Sequence, residues 1–226
     1  MRGSAVIADG IATFRLAAHL PPGEWLAGEL TRVREDASVR AILLDARGTL
    51  PERAGQGGDA LEALARYDLP VVFAFDGDLG AGFAELALAA DIRVCDADAT
   101  VTFDRQPGRW AGTRLRVLVG DGAALRLLRA GEALHADAML GCGFVSEVTA
   151  SGEAFARASG IAAVIASRGP IATRLAKEAL WRGLEVPFAE GLRMETDLTL
   201  LLQTTKDRAE GVRAFLEKRP PQFTGE

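Results

Sequence analysis

Several things are scarce in this 226-residue chain, and each scarcity removes a class of function. There are two cysteines, Cys95 and Cys142, with neither C-x-x-C spacing nor the density of a disulfide scaffold, so both are expected to be small core residues in a reducing compartment. His19 and His135 each stand alone, without ligand partners at useful spacing, and no metal site is expected. His135 is expected to cap the short helix that follows it. No apolar run approaches the roughly 20 residues that cross a bilayer, and MRGSAVIADG lacks the long apolar segment of a signal peptide. A cytoplasmic protein with no membrane partner is expected. Basic clusters are missing too: net charge is -5, the pI is near 5.2 and the arginines are scattered. Nucleic acid is therefore not an expected partner, because phosphate binding needs a concentrated basic surface. No Gly-Lys-Ser/Thr occurs, which excludes a P-loop.

What is present is globular composition, 49% hydrophobic and 25% charged, at a length that suits one domain with a helical appendage. Strands are expected over 5–8 and 11–17, joined at the hairpin signal Asp9-Gly10. An amphipathic helix over 24–35 follows, with Leu26, Leu30 and Val33 at helical spacing, and then a strand over 39–45 whose apolar run suits burial on both faces. ARGTLPERAGQGGD is a glycine-rich loop at the carboxyl end of that strand, where α/β folds place ligand-binding backbone. After a brief helix over 60–67, residues 70–96 read as strand, glycine turn, helix and strand, with further strands over 100–103 and 144–147. From Gly152 onward the pattern is helical, over 153–167, 171–184, 189–204 and 206–219, punctuated by Gly169-Pro170 and Val186-Pro187. The expected division is an α/β core over 1–150 and a helical region over 151–226.

The candidate site lies in PVVFAFDGDLGAGFAELALAADIRVCD. Gly80-Ala81-Gly82 follows a strand and opens a helix, as in a dinucleotide fingerprint. Glu85, however, occupies the sixth position, where that fingerprint needs a small residue and would not tolerate an anion beside pyrophosphate. If Gly82 is the N-cap of that helix, Glu85 sits at its third helical position, where a glutamate often caps the helix backbone. Its apolar neighbours Ala81, Phe83, Ala84, Leu86 and Ala87 favour another use. A poorly solvated carboxylate suits general acid or base work, and a glycine N–H at a helix start suits stabilisation of a carbonyl oxygen.

The same stretch resembles the central signature of the crotonase superfamily, the enoyl-CoA hydratases and isomerases. Asp76-Gly77 through Glu85-Leu86-Ala87 align without a gap. VREDASVRAILLDARG, GEALHADAMLGCGFVSEV and VRAFLEKRPPQFTGE resemble three further segments of that family, so the likeness covers most of the chain. It implies a crotonase-like α/β spiral of ββα turns with a helical C-terminal region that forms a homotrimer or a dimer of trimers. It also implies an acyl-CoA or other acyl-thioester substrate, with no cofactor beyond the coenzyme A of the substrate. Gly82 and Ala54 fall on the two oxyanion-hole N–H donors, and Glu85 on the first catalytic glutamate. Gly55, Ala81, Phe83, Asp104, Trp110, Lys218 and Phe223 are the candidate substrate-binding residues. Two departures stand out. FDRQPGRWAGTRL is shortened and carries Gly108 where the family has its second glutamate, leaving Asp104 as the nearest carboxylate, and the segment between Gly55 and Pro70 is trimmed. Hydration, double-bond migration and other enolate chemistry all remain compatible. The alternative is a catalytically degenerate crotonase-fold protein that binds a thioester or a partner enzyme.

Overall fold

The computed structural model describes residues 5–17, 23–48, 50, 58–104 and 111–226. They fall into two compact units, one of Met1–Tyr67 with Val71–Ala163 and one of Asp68–Pro70 with Val164–Glu226.

The first unit is built on a six-stranded sheet in the order β1-β2-β3-β4-β6-β9. β1 (Val6–Ala8) and β2 (Ile11–Arg15) form the antiparallel hairpin expected at Asp9-Gly10, both of which take positive φ (51° and 76°) as a tight two-residue turn requires. All later pairings in this sheet are parallel. β3 (Ala41–Ala46) and β4 (Val71–Phe75) are buried along their whole length, as the apolar runs Ala41–Leu44 and Val71–Phe75 predict for strands covered on both faces. α1 (Glu24–Arg34) buries Leu26, Leu30 and Val33, the three residues at helical spacing. α2 (Gly58–Ala65) precedes β4.

After β4 the chain makes a ββα turn: β5 (Asp78–Leu79), α3 (Ala81–Leu88), then β6 (Ile92–Asp96) back in the large sheet. β5 belongs to a small sheet with β7 (Thr100–Val101) and β8 (Leu134–His135). Between these two strands run α4 (Ala111–Val119), α5 (Asp121–Leu125) and a π-turn at Arg126–Ala130. α6 (Ala136–Cys142) and β9 (Glu147–Thr149) follow. His135 stands at the N-cap of α6, but its side chain makes no capping bond. The last strand lies three residues beyond the expected start, because Phe144 is drawn into the core and the first ladder pair joins Val94 to Glu147.

α7 (Ala154–Ala166) carries the last residues of the first unit, as far as Ala163. The second is dominated by α8 (Pro170–Gly183), α9 (Phe188–Gln203) and α10 (Lys206–Glu217). Pro170 opens α8, and Thr205 caps α10 by accepting a hydrogen bond from the Arg208 N–H at 3.1 Å. No helix among the described residues is long and apolar enough to cross a membrane.

Candidate active site

α3 is only eight residues long, and six of them, Ala81, Phe83, Ala84, Leu86, Ala87 and Leu88, are buried. The two that are not are Gly82 and Glu85. Three positions apart, they share one face of the helix, so the open side of α3 consists of a bare backbone position and a carboxylate. Gly80 is the N-cap, and the first turn closes through hydrogen bonds from the Phe83 and Ala84 N–H groups to the Gly80 carbonyl, at 3.0 and 2.9 Å. Gly82 therefore precedes the first helical hydrogen bond, and among the described residues its N–H has no acceptor. The expected N-cap at Gly82 is corrected by two residues, to Gly80. Glu85 is consequently the fifth helical residue, not the third, and lies too far along for the reciprocal capping bond.

The segment after β3 is tied down beside this helix start. Gly48, at φ 93°, donates its N–H to Asp76 Oδ1 at 2.5 Å. Leu50 donates to the Asp78 carbonyl and accepts from the Gly80 N–H, each at 3.0 Å. Ala54 and Gly55, as well as Gly108 and Trp110, lie outside the described residues. Asp104 is exposed at the end of the segment after β7. Ala81 is 4% exposed and Phe83 fully buried, so both side chains belong to the core beneath the open face.

Lys218 and Phe223 belong to the second unit. Lys218 ends α10 in the left-handed conformation, φ 54°. Phe223 lies against Gly169 and Gly211 within a mostly apolar groove of about 350 Å³. The tail that carries it is fastened to α10: Asp207 accepts from the Thr224 and Gly225 N–H groups at 2.7 and 3.0 Å.

Charged residues that sequence reasoning passed over support the site from below. Arg93 of β6 is 3% exposed. Its Nη1 donates to the carbonyls of Ala90 (2.6 Å) and Ala87 (3.3 Å), and its Nε to that of Phe144. Burial pushes its pKa down to about 10, so the guanidinium stays charged at neutral pH. The signal was a lone arginine inside the apolar strand Ile92-Arg93-Val94-Cys95. Asp45 of β3 is also buried, between Arg15 and Arg47. Burial alone would raise its carboxyl pKa, but hydrogen bonds from Arg47 and Arg15 outweigh that and hold it below the ordinary value. Cys95 is in the core, and burial pushes its thiol up to about 12, which keeps it neutral and unreactive.

A family profile described as enoyl-CoA hydratase/isomerase matches residues 26–226, which includes most of α1 and every later element. The chain belongs to the enoyl-CoA hydratase/isomerase family. It is 35% identical over 170 residues to the Arabidopsis thaliana protein named "Probable enoyl-CoA hydratase 2, mitochondrial", covering 73% of this chain and 56% of that protein. It is 36% identical over 168 residues to the 2,3-dehydroadipyl-CoA hydratase of Escherichia coli, covering 72% and 66%. The chain thus spans less than two thirds of the length of either relative. The crystal structure of an enoyl-CoA hydratase from Bacillus anthracis superposes with a TM-score of 0.85 at 30% identity, covering all of both chains. The fold is accordingly that of the crotonases, with a helical C-terminal region.

Proposed function

We propose that this chain is an acyl-CoA enzyme of the hydratase/isomerase type, in which the Gly82 N–H holds the thioester oxygen and Glu85 moves the proton. The observation that carries this reading is the face of α3 that is not buried: in an otherwise buried helix, the two part-exposed residues are the donor and the carboxylate. Ala54 supplies the second N–H in this reading. What supports it is the anchoring of Leu50 to Asp78 and Gly80, from which four further residues of chain reach up to about 14 Å.

The chemistry follows from charge. As a nucleophile adds to Cβ of an unsaturated thioester, or as a base removes a proton from Cα, negative charge collects on the carbonyl oxygen. A donor aimed at that oxygen stabilises the enolate by roughly 3–4 kcal/mol. For hydration, Glu85 takes a proton from water as the water oxygen bonds to Cβ, and returns that proton to Cα when the enolate collapses. For isomerisation, the same carboxylate takes a proton from one carbon and delivers it to another. A single carboxylate serves either sequence, which suits a chain whose second family glutamate is replaced by the Pro107-Gly108 stretch.

Glu85→Gln keeps the size of the side chain and removes its basicity. Turnover of a panel of short and medium enoyl-CoA thioesters is expected to fall by at least 100-fold, a typical share for general acid-base catalysis, with an unchanged melting temperature. Full turnover in that variant would reassign Glu85 to a structural role. Calorimetric binding of the panel to the wild-type chain without any turnover would favour the auxiliary, non-catalytic reading.

We further propose self-association through the C-terminal helices as a homotrimer or a dimer of trimers. Leu180, Leu184 and Phe188 are 74%, 63% and 81% exposed, and Phe215 is 82% exposed, more large apolar surface than a solitary helical surface usually carries. Light scattering that reports a monomer at micromolar concentration would count against it.

A further inference from the structure

α3 is too short to hold its own direction. At 1.5 Å per residue it is about 12 Å long, and an isolated helix of that length is unstable in water. What holds it is visible at its far end. The carbonyls of Ala87 and Ala90 accept from Arg93 Nη1, reaching across from β6. The carbonyl of Leu88 accepts from Nε and Nη2 of Arg114 on α4, both at 3.4 Å. Arg93 also spans to the Phe144 carbonyl and lies over the Phe144 ring, its guanidinium carbon 5.8 Å from the ring centre. One planar fork therefore joins the end of α3, strand β6 and the Phe144 segment. Burying a guanidinium this deeply is costly, and a packed apolar side chain would fill the space without that cost.

We infer that Arg93 is a positioning residue for the catalytic face of α3: by clamping the Ala87 carbonyl in the last turn of the helix and the Ala90 carbonyl just past its end to β6, it sets where the Gly82 N–H and Glu85 stand at the other end. This rests on the role proposed above for those two residues. The lever is short and its effect large. With the C-terminal end released, a tilt of about 6° over the roughly 9 Å between Leu88 and Gly82 moves Gly82 by about 1 Å, and a misplacement of that size costs up to about 100-fold in rate. Arg93→Lys keeps the charge, but a single ammonium group cannot reproduce a fork that reaches carbonyls on two segments.

The test uses the full chain with a saturating saturated acyl-CoA, such as butyryl-CoA. It reads the infrared carbonyl stretch of the bound thioester, the rate of deuterium entry at Cα per folded molecule, and the dissociation constant. In the wild type the stretch is expected to fall below that of free thioester. In Arg93→Lys it returns most of the way, exchange at saturation drops roughly 10- to 100-fold, and the dissociation constant stays within about threefold. Arg114→Gln, at a partly exposed site whose guanidinium reaches the Leu88 carbonyl, is expected to shift the same quantities in the same direction by less, and it serves if Arg93→Lys does not fold. A lower melting temperature with an unchanged stretch and exchange rate would make the two arginines merely structural and overturn the inference. A wild type with no shift of the stretch would instead overturn the oxyanion role of Gly82, and the inference with it.

Discussion

Gly82→Ala separates what the open face of α3 does for folding from what it does for chemistry, because the two effects have opposite signs. Gly82 is a helical residue without positive φ, so alanine fits the backbone there. Replacing a helical glycine by alanine lowers the conformational entropy of the unfolded chain and stabilises by about 0.5–1 kcal/mol. For a chain of this size that raises the melting temperature by roughly 1–4 °C. The new Cβ tilts toward the helix N-terminus, as every helical Cβ does, and so enters the space in front of the N–H that is proposed to hold the thioester oxygen. A methyl group there displaces the oxygen by about 1 Å, and the expected loss in kcat is roughly 10- to 100-fold. Thermal unfolding followed by circular dichroism, together with turnover of an enoyl-CoA at saturation, checks both halves. A variant that is more stable and fully active would refute the assignment of Gly82. One that is less stable by more than about 1 kcal/mol would show that the methyl meets packed atoms and not an open face.

Other outcomes follow from the buried charges. Asp96 is 1% exposed and accepts from Thr149 Oγ1 and the Ala154 N–H, both at 2.8 Å, and from the Gly152 N–H, which secures the start of α7. Asp96→Ala leaves buried donors unpaired and is expected to cost about 3–5 kcal/mol in urea unfolding; a loss below about 1 kcal/mol would contradict this. Asp45 titrates below its ordinary value of 3.8 in the folded chain, so its contribution to stability is present above that value and disappears as pH falls through the lower, folded one. Asp45→Asn is therefore expected to be less stable than wild type near pH 6 and to lose less on acidification to pH 3, and parallel profiles would argue against the ion pairs with Arg15 and Arg47.

Legibility in the sequence tracked the strength of the local pattern. Ile42-Leu43-Leu44 and Val71-Val72-Phe73 announce buried strands by apolar runs, and Asp9-Gly10 announces its turn as one of the few dipeptides that take two positive φ values cheaply. The four C-terminal helices were legible to within about two residues, because glycine and proline mark their boundaries. The two-residue strands β5 and β8 were not, since two residues carry no period. One boundary mattered for chemistry. A helix start at Gly80-Ala81 instead of Gly82 moves Glu85 from a capping position to the open face, and the choice depends on which carbonyl the Phe83 and Ala84 N–H groups find. Arg93 was illegible for a different reason: a charged residue in a strand is ordinarily exposed, and its carbonyl partners come from Ala87, Ala90 and Phe144, which only the folded chain brings together.

The central claim, that a donor at Gly82 and a base at Glu85 generate an enolate from an acyl thioester, is tested most directly without knowing the net reaction. Butyryl-CoA incubated with the protein in deuterium oxide, with mass spectrometry at Cα, reports enolate formation itself. The result expected is steady deuterium entry with the wild type and at least a 100-fold slower rate with Glu85→Gln at equal thioester occupancy. Exchange at the same rate in both proteins, or binding with no exchange in the wild type, would contradict it.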